Sequence, residues 1–192
     1  MKTLPRTLTT CLTTCLATFA AGCTSDDDTG GDADTGAATS AGDESGTGAA
    51  GGPIDEDAAL ARGAAYETEF TKINAMDFPS QHGLAATVNV WVSPEAVAAY
   101  DALDPANPSA PAIPEGGIVL KEHLNTEGAK DGYLMMVKGP ADYAPEASSW
   151  WWARVDGTGA TQETGQVGFC LGCHNTVADQ GHLYGVPLDN RL

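Results

Sequence analysis

Five residues near the C-terminus, Cys170-Leu171-Gly172-Cys173-His174, combine types and spacing that can do chemistry. Two thiols three residues apart can each add across a vinyl group of a haem, and the histidine that comes next is then placed to coordinate the iron. Two other uses of the same residues stand beside this one. A CxxC pair also serves thioredoxin-like redox chemistry, although no βαβ pattern surrounds it here. It also forms half of a zinc site, with His174 as a third ligand and His182 as a fourth. Residues 175–192 contain no methionine, so no downstream thioether is available for a second axial position, which is predicted to be open or water-occupied. An open position favours catalysis or gas binding over pure electron shuttling. Met135 and Met136 lie upstream, where a core role is the simpler expectation.

Covalent haem attachment takes place outside the cytoplasm, and the N-terminus reads as an export signal. Lys2 and Arg6 precede an apolar stretch that ends in Ala20-Ala21-Gly22-Cys23. Small residues before a cysteine suit a lipoprotein signal peptidase, so residues 1–22 are expected to be removed and Cys23 to carry lipid. Thr24 after the cysteine favours the outer membrane by resemblance to bacterial sorting rules. Cys11 and Cys15 leave with the signal, so only Cys170 and Cys173 remain in the folded part and no disulfide framework is expected. Residues 23–56 are rich in Asp, Gly, Thr and Ala, and such a segment is expected to act as a disordered acidic tether. Acidic residues outnumber basic ones 26 to 9, for a net charge of -17. Nucleic acid is therefore excluded as a charge-driven partner, the membrane is met through the lipid anchor alone, and a basic redox partner protein would be suited.

The elements that must position the motif lie in residues 57–192. Leu60, Ala64, Phe70 and Ile73 predict one amphipathic helix over 57–74. Val88, Val90 and Val92 alternate with Asn89 and Trp91, which predicts a strand over 87–93. Ser93-Pro94-Glu95 then predicts a helix start with serine as N-cap. Further strands are expected over 117–124, 132–138 and 149–155, with a Pro-rich loop over 104–114. Consecutive strands without crossover helices imply an antiparallel sheet. The expected fold class is α+β, mainly antiparallel sheet with flanking helices and a C-terminal haem-attachment segment. Strand alternation puts Val119, Lys121 and His123 on one face, and Leu120, Glu122 and Leu124 on the other.

Residues 82–184 resemble the cytochrome P-460 family, which includes cytochrome c′-beta. The resemblance rests on His82-Gly83, on Val88 to Glu95 running into Ala99-Tyr100, and on Pro114 to Glu122. Met136-Val137-Lys138, Ser149-Trp150 and the late CxxCH complete it. It implies a small, mostly β, often dimeric periplasmic protein with one covalent haem c. In the cytochromes P-460 proper a lysine is joined to the porphyrin and hydroxylamine is oxidised; Lys121 matches that lysine. The resemblance thus implies an oxidoreductase acting on a small nitrogen compound, with electron transfer to a protein partner. A nitric oxide or gas-binding protein without turnover, and a simple electron carrier, are the alternatives. No catalytic base is assigned: alternation turns Glu122 away from Lys121, and nothing ranks Glu127, Asp131 or Glu146. His82 and His123 read as ordinary hydrogen-bonded residues, and Trp150, Trp151, Trp152 and Tyr184 as packing against core and haem.

Overall fold

The computed structural model describes residues 54–104 and 109–192. The expected signal, the lipidated Cys23, nearly all of the acidic tether and part of the Pro-rich loop lie outside the described residues. Two short helices, α1 (Glu56–Ala64) and α2 (Tyr66–Glu69), precede the two-residue strands β1 (Thr71–Lys72) and β2 (Phe78–Pro79). Then come β3 (Thr87–Val92), α3 (Val97–Asp101), β4 (Ile118–Leu124) and β5 (Lys130–Lys138). The chain finishes with β6 (Trp150–Asp156), β7 (Thr161–Gly165) and α4 (Gly168–His174), and then short 3-10 turns. The strands form one antiparallel sheet in the order β1-β3-β4-β5-β6-β7, with β2 also paired to β3. The α+β expectation is met.

The sheet buries both faces, and strand alternation decides what each face meets. Val90, Val92, Val119, Met136, Trp150 and Trp152 pack with Tyr100, Cys170, Leu183 and Val186. Ile118, Leu120, Met135, Val137, Trp151 and Val155 pack instead with Ala59, Tyr66 and Phe70 of the N-terminal segment. The three consecutive tryptophans are all buried, two on one side and one on the other. The β5–β6 pairing is tight at Gly132, whose φ is +94° and where a Cβ would lie 2.3 Å from the Val155 carbonyl oxygen. Only glycine fits there. Among the described residues no helix is long and apolar enough to cross a membrane.

Several expected boundaries are corrected. The single helix over 57–74 is two helices and a strand, because Phe70 and Ile73 belong to opposite cores. The backbone turns extended at Phe70, and the Ile73 amide then donates to the Val90 carbonyl, 2.9 Å away. Ser93 does not cap a helix. Fully buried at the end of β3, its hydroxyl accepts from the Ile118 amide at 2.8 Å, and α3 starts later, at Val97. The polar β7 has no apolar alternation and was not expected; it is an exposed edge strand.

Glu122 is the one buried acid of β4 and has no cation against it. Its carboxylate accepts from the Tyr66 hydroxyl at 2.5 Å, the Asn89 amide at 2.7 Å and the Trp91 indole at 3.3 Å. Asn74, also buried, donates to Asn89 and accepts from the Val90 amide, extending the network across β3. Removing the carboxylate strands three donors in an apolar core. Glu122→Ala is expected to lose about 3 kcal/mol of stability in urea unfolding, and Glu122→Gln about 1 kcal/mol; equal stability of Glu122→Ala and wild type would show that the network holds nothing.

Candidate functional site

A cavity of about 240 Å³ lies between the sheet and the C-terminal segment. Val88, Val90, Val119, Lys121, Leu134, Met136 and Trp152 line it from the strands; Phe169, Cys170, Cys173 and His174 line it from α4. Cys170, Cys173, His174 and Lys121, four residues singled out in the sequence, thus meet at one place. The walls are otherwise mostly apolar, so a flat hydrophobic group with a few polar anchors is the natural occupant.

The histidine is held by backbone rather than by a side chain. His174 Nδ1 donates to the carbonyl oxygen of His182 at 2.6 Å. A carbonyl can only accept, so Nδ1 carries the proton and Nε2 of the neutral ring keeps its lone pair. Burial pushes the His174 pKa down to about 4, which keeps the ring neutral. Its faces are braced by Tyr184 at 5.2 Å and Trp152 at 6.2 Å, both edge-on. The Tyr184 and Thr176 hydroxyls both donate to the Cys173 carbonyl, at 2.9 and 2.7 Å, and so fasten the end of α4.

His182 is itself locked. Its φ is +62°, its ring Nδ1 meets the Ser148 hydroxyl at 2.8 Å, and its Nε2 meets the Asn175 side-chain oxygen at 3.2 Å. With both ring nitrogens engaged it is not a fourth zinc ligand, and among the described residues no group of three or more His, Cys, Asp or Glu could hold a metal. The thioredoxin alternative loses its context as well, since α4 comes after an antiparallel edge strand. Cys170 is buried and unpaired with Cys173; burial pushes its thiol up to about 11, the opposite of a reactive dithiol.

Lys121 reaches the cavity from the middle of β4, opposite Val90 on one side and Leu134 on the other. Burial holds its amine below the ordinary lysine range, against the opposing pull of the two cysteine sulfurs. Of the methionines, Met136 lines the cavity and Met135 lies in the opposite core. Glu122 is on the far face, as alternation implied, and Glu127, Asp131 and Glu146 are exposed and away from the cavity. His82 lines the cavity and His123 lies beside it, rings 5.2 Å apart. Neither is the ordinary, fully hydrogen-bonded histidine expected, for both Nε2 atoms are buried without a partner.

The sequence model of a family described as Cytochrome P460 matches residues 63–185, which include the cavity strands and the whole CxxCH segment. The chain belongs to the cytochrome P460 family. No curated protein matches it significantly. Membership in the cytochrome P460 family implies a haem cofactor and nitrogen-compound chemistry. The residues present fit that group: two cavity-lining thiols, an imidazole with a bare Nε2, apolar walls, and two cavity-lining residues, His82 and Trp152, each with a ring nitrogen buried without a partner. The backbone grip of His182 on His174 was missed from sequence, since a carbonyl leaves no mark on residue type.

Acid should loosen the site. Burial first, then the charges of His82, Lys121 and Arg154, lower His123 from an ordinary 6.5 to about 4. His82 and His182 are lowered as well. Between about pH 4 and 6.5 the unfolded chain then binds more protons than the folded one, so stability falls as pH falls. The melting temperature is expected to be several degrees lower at pH 5 than at pH 7, and His123→Phe should flatten that slope. A melting temperature that rises on acidification would contradict the burial of these rings.

Proposed function

We propose that this member of the family is an exported c-type monohaem protein that oxidises a small nitrogen compound such as hydroxylamine. Cys170 and Cys173 would hold the haem through two thioether bonds, and His174 Nε2 would be a ligand to its iron. The observation that carries this reading is the His174–His182 hydrogen bond, which fixes the tautomer with Nε2 bare, one residue from a pair of cavity-lining thiols. When bound, the haem supplies an iron that holds small nitrogen ligands and passes single electrons.

The chain's own residues do the rest. Valines 88, 90 and 119 with Leu134 keep water off one side of the cavity. Lys121, with its amine desolvated and held below the ordinary lysine range, lines the cavity where the porphyrin would lie. Trp152 Nε1 and His82 Nε2 are left to meet polar groups of the cofactor or its ligand. Export, lipidation at Cys23 and an outer-membrane position, on the periplasmic side or the surface, belong to the same proposal, because covalent haem maturation requires passage out of the cytoplasm. The acidic chain would pass electrons to a basic protein partner.

Intact mass and an optical spectrum of the protein, produced with c-type haem maturation, test this reading. One haem should be added to the wild-type mass and none to Cys170→Ala/Cys173→Ala; an apo wild type under competent maturation would sink it. A red-shifted ferrous Soret band that disappears in Lys121→Ala would establish the lysine bond and favour hydroxylamine oxidation. An ordinary high-spin spectrum in both, with no hydroxylamine consumed, would leave a gas-binding protein. A low-spin spectrum lost in Met136→Leu would instead make the cavity methionine the second axial ligand and the protein an electron carrier.

A further inference from the structure

His82 precedes β3 in a bend where, among the described residues, its ring is hydrogen-bonded to Ser80 alone. The Ser80 hydroxyl donates to the His82 carbonyl at 2.9 Å, so the 3.1 Å contact between Ser80 Oγ and His82 Nδ1 must be donated by the ring. Nδ1 therefore holds the proton of the neutral imidazole, and Nε2 is a bare acceptor. That acceptor is buried, has no donor against it, and belongs to a residue lining the cavity. An acceptor of this kind costs free energy when left empty, and a protic ligand is what would satisfy it.

The surroundings decide between ligand classes. Lys121 and His123 face His82 from β4, Arg154 adds positive charge from β6, and His174 faces the cavity from α4. A hydrogen-bond donor is what a bare Nε2 takes in these surroundings. His123 is 4% exposed, its ring 5.2 Å from that of His82 and its own Nε2 unpartnered, while Phe169 meets the His82 ring edge-on at 6.1 Å. The ring is thus fixed in place by packing and by Ser80, and Nε2 is its one nitrogen without a partner, on a residue that lines the cavity.

We propose that His82 is the proton-accepting residue of this cavity, taking a proton at Nε2 from a small protic ligand such as hydroxylamine. The proposal rests on the haem reading of the cavity and adds the base that reading lacks. In the transfer the ligand's O–H bond breaks with its electron pair left on oxygen, and an N–H bond forms at Nε2. The imidazolium then releases its other proton from Nδ1 through the half-exposed Ser80 hydroxyl to solvent. Burial and the Lys121 charge keep the resting ring neutral and ready to accept.

Hydrogen cyanide binding to the ferric holoprotein tests the proton step apart from turnover. HCN is protonated at neutral pH and must lose its proton to bind iron, whereas carbon monoxide binds the ferrous form with no proton transfer. His82→Gln is expected to slow HCN association about a hundredfold while leaving carbon monoxide association unchanged. Ser80→Ala, which keeps the ring, should slow HCN several-fold. An HCN rate in His82→Gln within about twofold of wild type overturns the proposal, as does a slowing confined to Lys121→Ala. If HCN slows in His82→Gln but wild type consumes no hydroxylamine, the proton acceptor stands and the substrate reading falls.

Discussion

The register of β4 between β3 and β5 sets what the two faces of this sheet can be. Lys121 and Glu122 are neighbours in sequence, yet one faces a cavity and the other the opposite core. Because side chains alternate with a period of two, a slip of one residue would drive the acid into the cavity and the amine among Tyr66, Asn89 and Trp91. Those three groups donate to Glu122 from α2 and β3, so the carboxylate can be satisfied in one register only. A buried acid that is satisfied in one register only selects one alignment, and the alignment selects the cavity.

From that fixed face the C-terminal segment completes the site. It is held by polar bonds to backbone at several points: Trp150 Nε1 donates to the Gly181 carbonyl at 2.8 Å, and Tyr100 donates to the Tyr184 carbonyl at 2.9 Å. Arg191 donates to the carbonyls of Asp101, Leu103 and Val186, and the Leu192 amide reaches the Ile73 carbonyl. These bonds tie residues 181–192, just beyond α4, to β1, α3 and β6. The His182 carbonyl is thereby aimed at His174, in a left-handed conformation that a non-glycine residue adopts only when its surroundings hold it.

Electrostatically the cavity is unlike the rest of the chain. The sequence is strongly acidic, but no carboxylate lines the cavity; its titratable wall is imidazole, amine and thiol. Burial pushes each imidazole and the amine toward neutrality, so the pocket gathers desolvated nitrogen bases inside an acidic protein. Neutral nitrogen lone pairs are what metal coordination, nucleophilic attack and proton acceptance have in common.

Much of this was legible in the residues alone. The CxxCH spacing marked Cys170, Cys173 and His174 as one group, alternation placed Lys121 and Glu122 on opposite faces, and the run of short strands implied an antiparallel sheet. Those signals are local, because they depend on the chemistry of side chains and on the pitch of a strand. The break of the 57–74 helix, the use of Ser93 at β4 and the edge strand β7 were not legible, since each depends on a partner distant in sequence. The same holds for the bare Nε2 of His82 and the grip on His174. A tautomer is decided by the hydrogen bond at the other ring nitrogen, and only the tertiary structure supplies the Ser80 hydroxyl and the His182 carbonyl that make it.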